Sequence, residues 1–290
     1  MAGGKEIRNK IKSIKSTQKI TRAMQMVAAS KMRKAQDQML ASRPYVQQMK
    51  NMMTHIVRST SDYQHCYMEN REVTRVGIIV ISSDRGLCGG LNNNLFKQVT
   101  LAVKKWQAES VGIDFVSIGN KAINFFDRFG GNVLASASHL GDRPSLESLL
   151  GVIKVMLDRY ESGEISHIYV ASNIFVNTMT LQVNVEQLLP LTDITNDGQT
   201  LKDNIRKEYI YEPSPEVLMD IILKRYVETL IYQAVTENIA CEMAARMVAM
   251  KAATDNAGAL INELQLIYNK ARQASITQEL SEIVSGASAV

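Results

Sequence analysis

No run of this 290-residue chain is apolar for long enough to read as a membrane span, and no apolar signal segment follows its basic start. A transit peptide is the other reading of that basic, Ser/Thr-containing start. A heptad pattern that already begins at Ile7 favours mature structure instead. Proline is scarce, at 5 residues, and glycine numbers only 16, which argues against disordered or low-complexity stretches. The three cysteines, Cys66, Cys88 and Cys241, are far apart and lack metal-ligand spacing, so they read as free thiols of a reducing compartment. The four histidines, at 55, 65, 139 and 167, form no H-x-x-x-H or H-E-x-x-H pair. No Ser/His/Asp or Cys/His set is recognisable, so neither a metal nor a catalytic site is expected. No aromatic residue precedes Tyr45, which removes the stacking platforms that single-stranded nucleic acid requires.

What the chain has instead is a heptad frame. Steps of four and three from Ile7 pass through Ile11, Ile14, Gln18, Thr21, Gln25, Ala28, Met32, Ala35, Met39, Ser42, Val46, Met49, Met53 and Ile56. A 3.5-residue repeat of this length marks a helix that coils against a partner helix. The middle of the seam, Gln18–Thr21–Gln25, is polar. The surface around it is basic: residues 1–58 carry 13 Lys and Arg against 2 acids, while residues 59–212 and 213–290 are net −4 and −3. Such a helix suits an acidic or polyanionic partner.

Residues 74–191 alternate strand and helix signals. Val76–Ile81, Ile113–Ile118, His167–Phe175 and Met179–Leu189 read as strands; Leu91–Glu109, Lys121–Arg128 and Ser145–Tyr160 read as helices. The last two strands suggest an antiparallel hairpin at one edge of a βαβ layer. Residues 192–215 read as loop with a short strand at Tyr209–Tyr211. From Ser214 to Ser285 there is no proline and one glycine, Gly258, which predicts a second helix of about 105 Å.

Both long helices attach to the α/β block by opposite ends, so they run antiparallel. If Arg58 lies level with Ser214, Lys5 lies level with residue 266 or 267, and Met24 with Val248. The final twenty-odd residues then project alone, still carrying Ile276, Leu280, Ile283, Val284 and Val290. An apolar stripe on a lone helix implies that another protein surrounds it. The expected fold class is thus α/β. A long antiparallel two-helix coiled coil, residues 1–58 with 214–290, joins a Rossmann-like domain, residues 59–213. The turn Asp84–Gly90 sits where phosphate loops sit, after a strand and before a helix, but holds neither G-x-x-x-x-G-K-[ST] nor G-x-G-x-x-G. It reads as a tight turn or partner-contact loop.

Three stretches, IRNKIKSIKSTQKITRAMQMVAASKMRKAQ (7–36), SSDRGLCGGLNNNLF (82–96) and ITQELSEIVSGASA (276–289), closely resemble the gamma subunit of F-type ATP synthase in its bacterial form. The resemblance covers the whole chain. It implies a non-catalytic central rotor shaft of a proton-translocating complex, without a cofactor or bound metal. Its partners would be the alpha and beta subunits of the catalytic head, the epsilon subunit and the membrane c-ring. It also implies association with the cytoplasmic face of the bacterial inner membrane through the complex only. By resemblance, Met24, Arg246, Gln273, Thr277, Glu279 and Cys88 contact the alpha/beta ring, and Tyr211 and Glu212 meet epsilon and the c-ring. The plant-type insertion with its cysteine pair is absent, so thiol switching is not expected. The alternatives are a basic coiled-coil nucleic-acid binder and a small-molecule enzyme built on the α/β block. The first predicts affinity that falls steeply with salt; the second needs a polar pocket at the carboxyl ends of the strands.

Overall fold

The computed structural model describes residues 2–59, 65–191 and 215–287. In chain order the elements are α1 (Ala2–Ser59), β1 (Arg75–Ile81), α2 (Leu91–Ala108), β2 (Gly112–Ile118), α3 (Asn120–Phe129), β3 (Asn132–Ala137), α4 (Glu147–Glu161), β4 (His167–Phe175), β5 (Leu181–Leu189) and α5 (Pro215–Ala287). They form two compact units, Met1–Ala29 with Arg246–Val290, and Ser30–Ala245.

The larger unit is built on a five-stranded sheet of order β3-β2-β1-β4-β5. Its first four strands are parallel; β5 pairs antiparallel with β4 and ends the sheet, as the expected edge hairpin requires. Parallel strands buried on both faces need continuous apolar runs, and Val76–Ile81 supplies one. Side chains alternate between the two faces. Val76, Ile78 and Val80 pack under α2 and α3 with Leu95, Val99, Phe115 and Phe126. Ile79 and Ile81 face the other way, onto Leu149, Ile153 and Met156 of α4 and Leu223, Val227 and Ile231 of α5. Met49 of α1 and Met219 and Val235 of α5 belong to this same core. The stretches of both long helices nearest the sheet are therefore part of the α/β unit's core. Strand β3 has no counterpart in the sequence reading. Its residues, NVLASA, are small or polar and only partly buried, so their alternation carries little apolar contrast.

Two polar clusters fix this unit. Asp114 of β2 is fully buried and accepts from Arg75 Nη1 at 3.1 Å and from Asn132 Nδ2 at 2.7 Å, with Arg159 Nη1 at 3.7 Å. Asp114→Ala leaves two cations facing an apolar gap, and should cost about 3 kcal/mol of stability in chemical unfolding. Part of the Arg75 and Arg159 side chains reaches solvent, which keeps the loss at the lower end for a broken buried pair. The second cluster ties the start of α5 to α4 and the segment before β1. Lys224 bridges Glu161 at 3.2 Å and Asp220 at 3.3 Å, and Tyr67 donates to Glu161 at 2.7 Å. Burial first, then this bond to a carboxylate, push the Tyr67 phenol pKa upward.

In the smaller unit α1 and α5 run side by side. Gln18 Nε2 donates to the Thr254 carbonyl at 3.3 Å, so residue 18 lies level with 254, the register that places Arg58 opposite Ser214. Every seam position from Ile7 to Ala28 is partly or fully buried. The matching seam of α5 runs through Met250, Thr254, Ala257, Ile261, Leu264, Tyr268, Ala271 and Ser275. In the larger unit Met32, Ala35, Met39, Val46 and Met49 continue the seam of α1, and Gln38 Nε2 donates to Tyr232 Oη at 3.2 Å.

Candidate functional site

The residues expected at the alpha/beta contact fall in three places. Met24 and Arg246 lie in the smaller unit and both are partly buried. Among the described residues between Glu6 and Val27, Met24 is the single off-seam side chain that is not exposed. The register sets it level with Val248, half a turn from Arg246. Lys5, Arg8, Lys10, Lys12, Lys15, Lys19 and Arg22 are all exposed around the same helix. Lys5, Arg8, Lys12, Lys15, Lys19 and Arg22 follow one another in steps of three and four, so these six line one face of the helix beside the seam, and Lys10 lies off that face.

Gln273, Thr277 and Glu279 stand beyond the level of Lys5 and are exposed. Their local bonds stay within α5: Thr277 Oγ1 donates to the Gln273 carbonyl at 2.9 Å, and Ser275 Oγ to Glu279 Oε1 at 3.3 Å. Around them Ile276 is 47% exposed, Leu280 57%, and Ile283 and Val284 67% each. These four members of the expected apolar stripe are exposed, Val290 lies outside the described residues, and the polar residues expected at the ring contact are interleaved with the stripe.

Cys88 lies in the larger unit, and its side chain is not at the surface; it is 2% exposed. Ser83 and Asn92 organise the turn. The Ser83 amide donates to Asn92 Oδ1 at 3.2 Å, and Asn92 Nδ2 donates to Ser83 Oγ at 2.7 Å and to Cys88 Sγ at 3.4 Å. Inward aim of the thiol pushes Leu87 out: it is 61% exposed and sits at φ +66°. Any partner of this turn meets Leu87 and the backbone around it, while Cys88 holds the turn's shape. A maleimide should therefore label Cys88 at least about a hundredfold more slowly in the folded free chain than in denaturant, measured by mass spectrometry.

The enzyme reading calls for a polar pocket beside this same turn. In a sheet of this order ligands sit outside the carboxyl ends of β1 and β4, where the strand order reverses. Here Cys241 of α5 occupies that position, packed on Cys88 and Leu91, with Phe175, Leu181 and Ala245 around them. Cys241 Sγ donates to the Asn173 carbonyl at 3.3 Å, Asn173 Nδ2 donates to Asn238 at 2.8 Å, and the Phe175 amide donates to Glu237 at 3.1 Å. Burial, then the Glu237 charge, raise the Cys241 pKa, keeping the thiol a protonated donor. The amides opening α3 are also taken: the Asn120 amide donates to Asp84 at 3.0 Å and the Ala122 amide to Ser82 Oγ at 2.8 Å. The crevice that holds a nucleotide in other sheets of this order is filled by the chain's own helix. Asn92, Asn238 and Cys241 escaped the sequence reading as site-shaping residues; polar side chains facing a strand-turn-helix junction were the available signal. Tyr211 and Glu212 lie outside the described residues.

Residues 3–290 match the family profile described as ATP synthase. The chain is 57% identical over 291 aligned positions to the ATP synthase gamma chain of Nitrosococcus oceani, covering 100% of both. Among solved structures it is similar to a chain of the Euglena gracilis mitochondrial ATP synthase, OSCP/F1/c-ring, rotational state 3. That match has TM-score 0.68 and 19% identity, and covers 99% of this chain and 94% of that one. A chain of the Tetrahymena thermophila mitochondrial ATP synthase central stalk and c-ring matches with TM-score 0.60 and 20% identity, over 81% of this chain and 99% of that one. At these identities the structural likeness is one of fold.

Proposed function

The chain belongs to the ATP synthase gamma-chain family, and from that membership we propose that it is the central rotor shaft of a proton-translocating ATP synthase. It couples turning of the membrane c-ring to conformational change at the catalytic beta subunits and carries no catalytic site itself. The observation that supports this reading best is the far end of α5. Ile276, Leu280, Ile283 and Val284 form an exposed apolar surface on a helix that no other described segment covers. A bearing formed by a ring of alpha and beta subunits would bury it.

The cationic face of α1 suits acidic loops on those subunits. Exposed charges in high-dielectric surroundings exchange partners at little cost, whereas a buried pair costs several kcal/mol to break. A rotating contact needs the former. Met24, Arg246, Gln273, Thr277 and Glu279 are proposed ring contacts, and the turn carrying Cys88 contacts the lower end of a beta subunit through Leu87. Tyr211 and Glu212 are proposed to meet epsilon and the c-ring. The similar Tetrahymena structure is of a central stalk with its c-ring, and the similar Euglena structures are of a rotor and of OSCP/F1/c-ring, which supports those partners. Among the described residues no helix is long and apolar enough to cross a membrane. Attachment to the cytoplasmic face of the bacterial membrane would therefore run through the complex.

Native mass spectrometry of the complex purified by a tag on this chain tests the reading. One copy per alpha/beta ring, with epsilon and c subunits retained, is expected. A free chain that hydrolyses ATP at an enzyme's rate would contradict it. The nucleic-acid alternative has no support from this family membership.

A further inference from the structure

We propose that Gln18, Thr21, Thr254 and Gly258 form a register lock, which fixes the axial position of α1 against α5 in the smaller unit. The seam there specifies its own register weakly. At its middle it joins Gln18, Thr21, Gln25 and Ala28 to Thr254 and Ala257. Side chains this small or polar leave shallow knobs and holes, so the middle of the seam resists a shift of one heptad only weakly. Single polar contacts in a coiled-coil seam are the recognised means of choosing one register.

The geometry here admits one register only. Thr21 Oγ1 and Thr254 Oγ1 are 2.8 Å apart, one hydroxyl donating to the other across the seam. Gln18 Nε2 reaches the backbone carbonyl of Thr254 at 3.3 Å. In an α-helix that carbonyl already accepts from the amide four residues on, and the side chain there leans back over it. Four residues on from Thr254 is Gly258, the one glycine between Pro215 and Ser285. A Cβ at Gly258 would lie 3.1 Å from Gln18 Nε2. Glycine thus opens a window onto the carbonyl, and glutamine enters it. Sliding by seven residues sets Gln18 opposite Met247 or Ile261. The residues four further on, Lys251 and Gln265, both carry a Cβ over the carbonyl, and neither Met247 nor Ile261 offers Thr21 a hydroxyl.

The consequence is mechanical. Two helices under twist tend to slide along one another; the lock holds them in step, and with them the levels of Met24 and Arg246. This inference concerns the free chain's own helices and stands whether or not the rotor reading holds.

Disulfide closure rates in the full chain test it. Ile11→Cys with Ile261→Cys is level in the locked register. Ile11→Cys with Tyr268→Cys is off by one heptad, about 10.5 Å along the axis, too far for a bridge without sliding. With the lock intact, the second pair should close at least about a hundredfold more slowly than the first. Replacing Gln18→Leu, Thr21→Val and Thr254→Val together should speed the off-register pair roughly tenfold or more, the factor that one or two buried hydrogen bonds carry. The thermal midpoint should hold or rise, because apolar seam residues replace polar ones. Gly258→Ala should do the same by closing the window, with added helix propensity. Thr21→Ser with Thr254→Ser keeps both hydroxyls and should leave the off-register pair slow. An off-register rate unmoved by either disrupting variant overturns the lock. So does a rate that rises only together with a falling thermal midpoint, which marks general loosening.

Discussion

Aspartate at Leu280, Ile283 and Val284 together should abolish stable assembly with an alpha/beta ring while leaving the free chain folded. The three side chains are 57%, 67% and 67% exposed in the free chain, so its own stability has little to lose. Exposed substitutions of this kind change folding free energy by only about 0.5 kcal/mol. Inside a bearing the balance reverses. Burying a Leu, Ile or Val side chain is worth about 1.5–3 kcal/mol each, and three carboxylates in an apolar sleeve add desolvation cost. A loss of about 4 kcal/mol already weakens association roughly a thousandfold. Pull-down of tagged alpha/beta ring by the variant, beside an unchanged thermal midpoint of the free variant, checks both halves. Retained assembly at native affinity would place the tip in solvent and remove its role as a bearing surface.

Gly119→Val should unfold the sheet unit or bring it close to unfolding. Gly119 follows β2 at φ +96° and ψ 141°, a backbone state that side-chain-bearing residues adopt only with strain. A Cβ there would lie 2.4 Å from the Ser82 carbonyl oxygen, a backbone atom that cannot swing away. The close approach has a purpose. Ser82 and Asp84 leave β1 at this point and cap the first amides of α3, which starts at Asn120. Valine must push the turn after β1 outward, break both caps and add strain of its own. Together these cost about 4 kcal/mol or more, against a total stability of about 5–15 kcal/mol for a native domain. Urea unfolding of the free chain should show a midpoint shift of that size or no cooperative transition. Because Leu87 and Cys88 ride on the displaced turn, maleimide labelling of Cys88 should speed up in parallel.

The two long helices were readable because their signal is periodic and repeated. From Ile7 to Met49 every described seam position is sheltered from solvent, and the register deduced from chain attachment agrees with the bond from Gln18 to Thr254. Strands with apolar runs were equally legible; His167–Phe175 has the bounds expected of it. Strand β3 was not, since an edge strand covered only in part needs no apolar alternation. Cys88 shows a different limit. The sequence places it in an exposed kind of turn, but whether a side chain points out or in depends on Asn92, four residues on, and on Cys241 from the far end of the chain. Gly258 was visible as the lone glycine of a long helix. Its use emerged only with Gln18 beside it, because a window onto a carbonyl has no sequence signature without its occupant.

The most direct test of the rotor account is single-molecule rotation. The complex is fixed to a surface through its beta subunits, and a bead is attached to Lys104→Cys, an exposed position on α2. Under ATP the account predicts that the bead turns in one direction, through full revolutions, for as long as hydrolysis continues. Steady hydrolysis by the same molecules with a stationary bead would contradict it.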